Sequence, residues 1–410
     1  MLKYSLKNGV VVTPGKKAGS GTISISGEKL VSAAAPLTID LGKKSFIYPA
    51  LINTHDHMRG NYLPRVGPPK GVYYMNWLPW DNDLKASETY TERSNISDKE
   101  LYQLSTYKNL FSGVTTVNDH FPQAWNKEIL PHLPIRAILE YGLAHECSSY
   151  DLKWGDGIEV EHTRAIKKHW PFITHLSEGF DRESMDGVIT LENLKVLDSH
   201  CLLIHCIGFS DEDIKKVANA GASISWCGAS NIFMFNVTCK IRKFIKAGIN
   251  VTIGTDSSHT GSFNLFEEMH YDRELYRQMY GEDLPAKKIF EMVTINAAKA
   301  FWLDKKLGSL DEGKLGDILL LKAKKDDPYE NFASAGMKDI ELLTMAGKPL
   351  YGEMRFIDIF GGKLPEGYTE ITVGGRPMFI AGDPAALYRE ARKKVGFKKK
   401  LDYLPFEPEA

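Results

Sequence analysis

Imidazoles and a carboxylate stand at the ends of apolar runs: His55 and His57 in LINTHDHM, His175 in FITHLSEG, and Asp256 in VTIGTDSS. Glu178, three residues after His175, and His205, in LLIHCIGF, accompany them. Histidine nitrogens and a carboxylate oxygen suit a borderline-soft divalent cation such as zinc, with iron as the alternative. Residues two apart on a strand face one side, so His55 and His57 can share a cation while Asp56 faces away. The pair alone says little, because twelve histidines among 410 residues produce roughly 0.35 such pairs by chance. Position sharpens it. The run FIYPALI leads straight into the pair, at the end of a buried strand where barrel active sites sit. A carboxyl such as Glu178 beside a metal-bound water can ferry protons, and a dry pocket raises its pKa toward the working range. Ser257 and Ser258 offer donors behind Asp256.

For these groups to meet, their strands must end on one face. Apolar strands are predicted at 50–55, 114–119, 135–142, 172–177, 201–206, 222–227 and 250–256, with helices at 97–112, 211–220, 238–248 and 264–279. Ser97, with Glu100 three residues on, marks the start of the first helix. Strand–helix alternation implies an α/β fold with a parallel sheet, here a (β/α)8 TIM-like barrel over 48–307. Seven strands are visible. Only about 29 residues separate the end of the third from the next, which makes the fourth strand short, irregular or missing. Short alternating segments at 1–47 and again at 308–410 have too few strands to stand alone, so both chain ends are expected to build one small β-sandwich.

Apolar content of 43% and charged content of 25% are those of a globular protein. A net charge of −1 gives no electrostatic case for nucleic acid or an anionic membrane surface. No run of 18 apolar residues and no signal peptide is found, and five cysteines without CxxC spacing read as reduced thiols in a cytoplasm. An assembly of identical chains is compatible with this.

The segments YPALINTHDH, FSGVTTVNDH, THLSEG, LIHCIGFSDEDI, GASISWCGASN, AGINVTIGTDS, LFEEM, TINAAKAF and LGSLDEGKLGDILLL occur in this order along nearly the whole chain. In them the chain resembles the amidohydrolase superfamily, within the branch of cytosine, guanine and S-adenosylhomocysteine deaminases and atrazine or ethylammeline chlorohydrolases. The resemblance implies one divalent cation held by His55, His57, His175 and Asp256, and a metal-bound hydroxide that attacks an electrophilic ring carbon. It assigns Glu178 as proton donor to the ring nitrogen and His205 to orienting the water or polarising the group attacked. Asp256 also shuttles a proton to departing ammonia. A carboxylated bridging lysine, used by other branches, has no counterpart in IRAILEYG.

Three features depart from the branch. Trp226 stands where relatives often have histidine, which is expected to remove a polar group from the pocket rim; His259 follows the metal aspartate; and the region 143–171 is short, which is expected to remove pocket-lining loop. The loop after the first strand carries Tyr62, Tyr73, Tyr74, Trp77 and Trp80 with Arg59 and Arg65, able to stack on a flat heterocycle or fork onto an anion. Trp77, Arg59, Asn231 and His259 are the candidate substrate contacts. The expected function is hydrolytic deamination of an amino-substituted N-heterocycle, a purine, pterin, pyrimidine or relative. The alternatives are cyclic amide hydrolysis or chloride displacement at the same site, and a non-catalytic scaffold.

Overall fold

The computed structural model describes residues 1–408. It is a mixed α/β protein whose central strands run parallel. Leu51–Asp56, Val114–Asp119 and Arg136–Ala137 form one sheet; Gly142–Leu143, Phe172–Leu176, Cys201–His205, Ser223–Trp226 and Asn250–Ile253 form another. Neighbouring strands pair in parallel throughout, for example Ile173 against Leu202 and Ile224 against Val251. Both faces of these strands are covered. In Cys201–His205, Leu202 and Ile204 join one buried cluster while Cys201 and Leu203 join another. That two-sided burial is why the run reads as continuously apolar, and each such side chain contributes ~1.5–3 kcal/mol.

The expected strand over 135–142 is in fact two: Arg136–Ala137 and Gly142–Leu143. The second pairs with Phe172–Leu176, Gly142 opposite Phe172, and supplies the fourth strand that the sequence did not place. Two residues are too few for any periodic signal. Gly142 is required there, because a Cβ would lie 2.4 Å from the Glu161 carbonyl oxygen of helix Ile158–Lys168. The other helices begin close to where their caps predict. Asp98–Leu110 starts behind a Ser97/Glu100 capping box and Asp211–Ala220 behind a Ser210/Asp213 box.

The first and eighth central strands approach closely. Asp256 donates its backbone N–H to the His55 carbonyl (3.0 Å), and Thr54 Oγ1 donates to the Ile253 carbonyl (2.9 Å). Gly254 permits this contact, since a Cβ there would come within 2.6 Å of His55 Cβ. Both chain ends share a single ten-stranded sheet. Ser45–Pro49 is its junction, parallel to Lys3–Val11 and antiparallel to Ile318–Lys322. Among the described residues no helix is long and apolar enough to cross a membrane.

Candidate active site

Strand ends bring the singled-out residues to one cavity of about 340 Å³, lined by His57, His175, Glu178, His205 and Asp256 among others. The potential ligand nitrogens of His55, His57 and His175 lie within 4.8 Å of one another, as do the ligand atoms of His55, His205 and Asp256. Asp256 Oδ1 is 3.8 Å from His55 Nε2 and 3.6 Å from His57 Nε2. His205 and Asp256 adopt left-handed backbone, with φ of 67° and 54°. Such conformations cost ~1–3 kcal/mol each and gather at functional sites.

Hydrogen bonds decide which nitrogens are free. His175 Nδ1 meets the His145 carbonyl at 2.7 Å, so Nδ1 carries the proton and Nε2 keeps its lone pair. His205 Nδ1 donates to Asn231 Oδ1 (2.8 Å), whose own Nδ2 donates to Thr238 Oγ1 (3.0 Å), leaving His205 Nε2 unprotonated 3.6 Å from Glu178 Oε1. His55 is fully buried, yet neither ring nitrogen has a hydrogen-bond partner. A buried imidazole lone pair left unmatched is costly, and a Lewis-acidic cation is the partner that fits it. The donor set, three imidazoles and a carboxylate, suits zinc.

Protonation follows burial. Burial, then the neighbouring imidazoles, holds His55 and His175 well below their usual pKa and therefore neutral. For Asp256 burial acts upward, but His57, His205, Ser230 and the Ser257 N–H outweigh it and keep the carboxylate ionised. Glu178 goes the other way. Burial, reinforced by Asp256 and Glu146, raises its pKa well above the carboxylate range, which favours the protonated acid.

Behind the site lies a polar hub. Lys108 Nζ donates to Asp56 Oδ1 (3.0 Å), Asn61 Oδ1 (2.8 Å), Thr255 Oγ1 (3.0 Å) and the Asp256 carbonyl (3.3 Å). Asn53 and Asn109 donate to Asp56 Oδ2 at 3.3 and 2.9 Å. Asp256 Oδ2 accepts from Ser230 Oγ at 2.6 Å.

The proposed substrate contacts divide. Trp77 lines the cavity, its indole N–H bonded to Glu146 and its ring 4.6 Å from that of His145. Arg59 lines it too, but is committed to Asp98 (2.8 Å) and lies over Phe121 and Trp125. His259 is buried against the cavity, where burial and then Arg93 lower its pKa to about 3. Asn231 is not a wall residue. It is fully buried behind His205, because the helix Gly228–Phe235 turns it toward that ring. Trp226 is likewise no part of the rim: it is fully buried, with its indole N–H on Thr238 (2.9 Å). The short 143–171 region still lines the cavity, through His145, Leu152 and Trp154, since the fourth strand ends directly beneath it.

His120 escaped the sequence reading. Its ring centroid is 4.4 Å from that of His175, its Nε2 meets the Ala144 carbonyl at 3.1 Å, and its Nδ1 has no partner. The signal was present, for it follows the strand VTTVND as His57 follows LINTHD. Arg93, on the cavity wall, gave no such signal.

The family model described as Amidohydrolase family matches residues 159–350. A 5-methylthioadenosine/S-adenosylhomocysteine deaminase of Thermoanaerobacter pseudethanolicus is 25% identical over 394 residues, spanning 82% of this chain and 89% of the relative. A 5'-deoxyadenosine deaminase of Methanosarcina mazei is 25% identical over 420 residues, spanning 87% and 94%. The solved atrazine chlorohydrolase of Arthrobacter aurescens TC1, complexed with zinc, superposes with a TM-score of 0.72 at 18% identity, over 96% of this chain and 100% of that one. Part of the chain thus matches the amidohydrolase family model, it is similar to these deaminases along most of its length, and it shares the fold of the chlorohydrolase.

Proposed function

We propose that the protein is a metal-dependent aminohydrolase that removes ammonia from an amino-substituted nitrogen heterocycle, with relatives named as deaminases of adenosine derivatives in support. The observation that carries this reading is the position of Glu178, a buried carboxyl 3.6 Å from His205 Nε2 in the cavity that also holds His57, His175 and Asp256. His55, His57, His175 and Asp256 would hold one divalent cation, zinc by their donor chemistry. When bound, it supplies a water with a pKa of about 7 and so a nucleophile at neutral pH.

The chain's own groups manage the protons. Glu178 donates from its carboxyl to the ring nitrogen beside the carbon under attack. His205 Nε2, fixed through Asn231, accepts a hydrogen bond from the incoming water and aligns it. Asp256, ionised, takes the released proton and passes it to the departing nitrogen. An amine leaves readily only when protonated, whereas chloride leaves as the anion, so this pairing of acid and base fits nitrogen better.

The same reading takes the eight central strands as a closed barrel over 48–307, supported by the contact between its first and last strands. It takes 1–47 and 308–410 as a β-sandwich, supported by their shared sheet. Five free thiols support a reducing, cytoplasmic setting.

The test is ammonia release by zinc-loaded protein from a panel of aminopurines, aminopterins and aminopyrimidines. Turnover of one of them is expected. Chloride release or cyclic amide opening without any ammonia would overturn the assignment.

A further inference from the structure

Arg93 is the cation of the cavity without an anion. Its residue is only 7% exposed, and it lines the cavity that holds Glu178 and Asp256. The guanidinium lies over the Tyr90 ring at 4.5 Å, and Nη1 is 3.4 Å from His259 Nε2. Among the described residues it forms no ion pair. Asp98, the acid that acts on its charge, is bonded to Arg59 at 2.8 Å. The remaining cation of this wall, Lys85, is also matched, with Asp81. Burial, then the Arg59 charge, pulls the Arg93 pKa below the usual arginine value, which marks the charge as poorly compensated.

A buried charge without a counter-ion is destabilising unless a ligand supplies the partner. The neutral His259 ring beside it cannot do so. A guanidinium offers a planar fork of donors that matches a carboxylate or phosphate. We propose that Arg93 forms an oxyanion-binding subsite, so that the substrate is an amino-heterocycle carrying a carboxylate or phosphate substituent. The heterocycle rests on the function proposed above; the anion does not.

The test is calorimetric binding of matched pairs to zinc-loaded protein: adenosine against adenosine 5'-monophosphate and adenosine-5'-carboxylic acid, and pterin against pterin-6-carboxylic acid. At least one acid is expected to bind roughly 10- to 100-fold more tightly than its neutral partner, the gain of a charge-assisted hydrogen bond pair. The phosphate and carboxylate arms say which oxyanion fits. Arg93→Gln is expected to bring that ratio close to one, and Arg93→Lys to keep part of it. Equal or weaker binding of the acid in every pair, or an unchanged ratio in Arg93→Gln, would overturn the subsite. The wild-type ratios decide by themselves should Arg93→Gln fail to fold. An acid preference without ammonia release would uphold the subsite and count only against the deaminase reading.

Discussion

Lys108 Nζ lies 3.0 Å from Asp56 Oδ1, with both side chains fully buried on the side of the His55–His57 strand that faces away from the cavity. The same nitrogen reaches Thr255 and the Asp256 carbonyl, so one buried cation ties the first strand to the last. It thereby sets the spacing between the histidine pair and the aspartate. Lys108→Met would leave the Asp56 carboxylate buried without a counter-charge, held only by amide donors such as Asn53 and Asn109, at a cost of ~3–5 kcal/mol. Unfolding by denaturant is expected to show that loss, and chelator competition a metal affinity about 10- to 100-fold weaker. Adding Asp56→Asn removes the orphaned charge and should recover part of both. A Lys108→Met protein with wild-type metal affinity would show that the hub supports the fold and not the ligand spacing.

The ligand and acid roles separate by metal content. His175→Ala and Asp256→Ala each remove a donor from the cluster within the cavity, and both are expected to lose metal and turnover together. Glu178→Gln keeps the shape of the side chain but has no acidic proton. It is expected to retain one equivalent of metal by elemental analysis while kcat falls by about 10²–10⁴. Substantial turnover in the Glu178→Gln protein would remove the glutamate from its assigned role.

What could be seen in the sequence was what local pattern encodes. His55, His57, His175, His205 and Asp256 each terminate an apolar run, and a run of that kind ends where a strand meets the cavity. The caps of Asp98–Leu110 and Asp211–Ala220 were visible because Ser and an acid three residues on are a local signal. Gly142–Leu143 was hidden, since two residues at the end of IRAILEYGL carry no period and its pairing with Phe172 is a tertiary fact. Lys108 was hidden for another reason. A lysine in a helix reads as a solvated one, and its burial arises only when three distant segments surround it. The place of Asn231 behind His205 was hidden too, because which way GASNIFMF turns it depends on packing against that ring.

Asn231 offers a prediction of its own. Its Oδ1 fixes the proton of His205 on Nδ1, and Thr238 fixes Asn231 in turn. Asn231→Ala frees the ring to change tautomer and tilt, so Nε2 no longer faces Glu178 reliably. The expected result is a kcat lower by about 10- to 100-fold with metal content and fold unchanged. A rise in KM at constant kcat would instead place Asn231 in substrate binding.

Glu146 links the cavity wall to stability. It is buried, and that burial, ahead of Asp181 and Asp151, pushes its carboxyl up to about 7 despite donors from Trp77 and Ser148. In the unfolded chain the same group titrates near about 4.3. Between these values the folded protein holds a proton that the unfolded chain has released, so rising pH favours unfolding until about 7, above which the effect is constant. Glutamine in its place can still accept from Trp77 and has no proton to lose. Between pH 5 and pH 8, Glu146→Gln is therefore expected to gain on the order of 2 kcal/mol relative to the wild type. Denaturant unfolding at equal metal content, repeated across that range, measures the difference. Parallel stability curves for the two proteins would mean that Glu146 titrates as an ordinary carboxylate, with no link between its burial beside Trp77 and the stability of the wall.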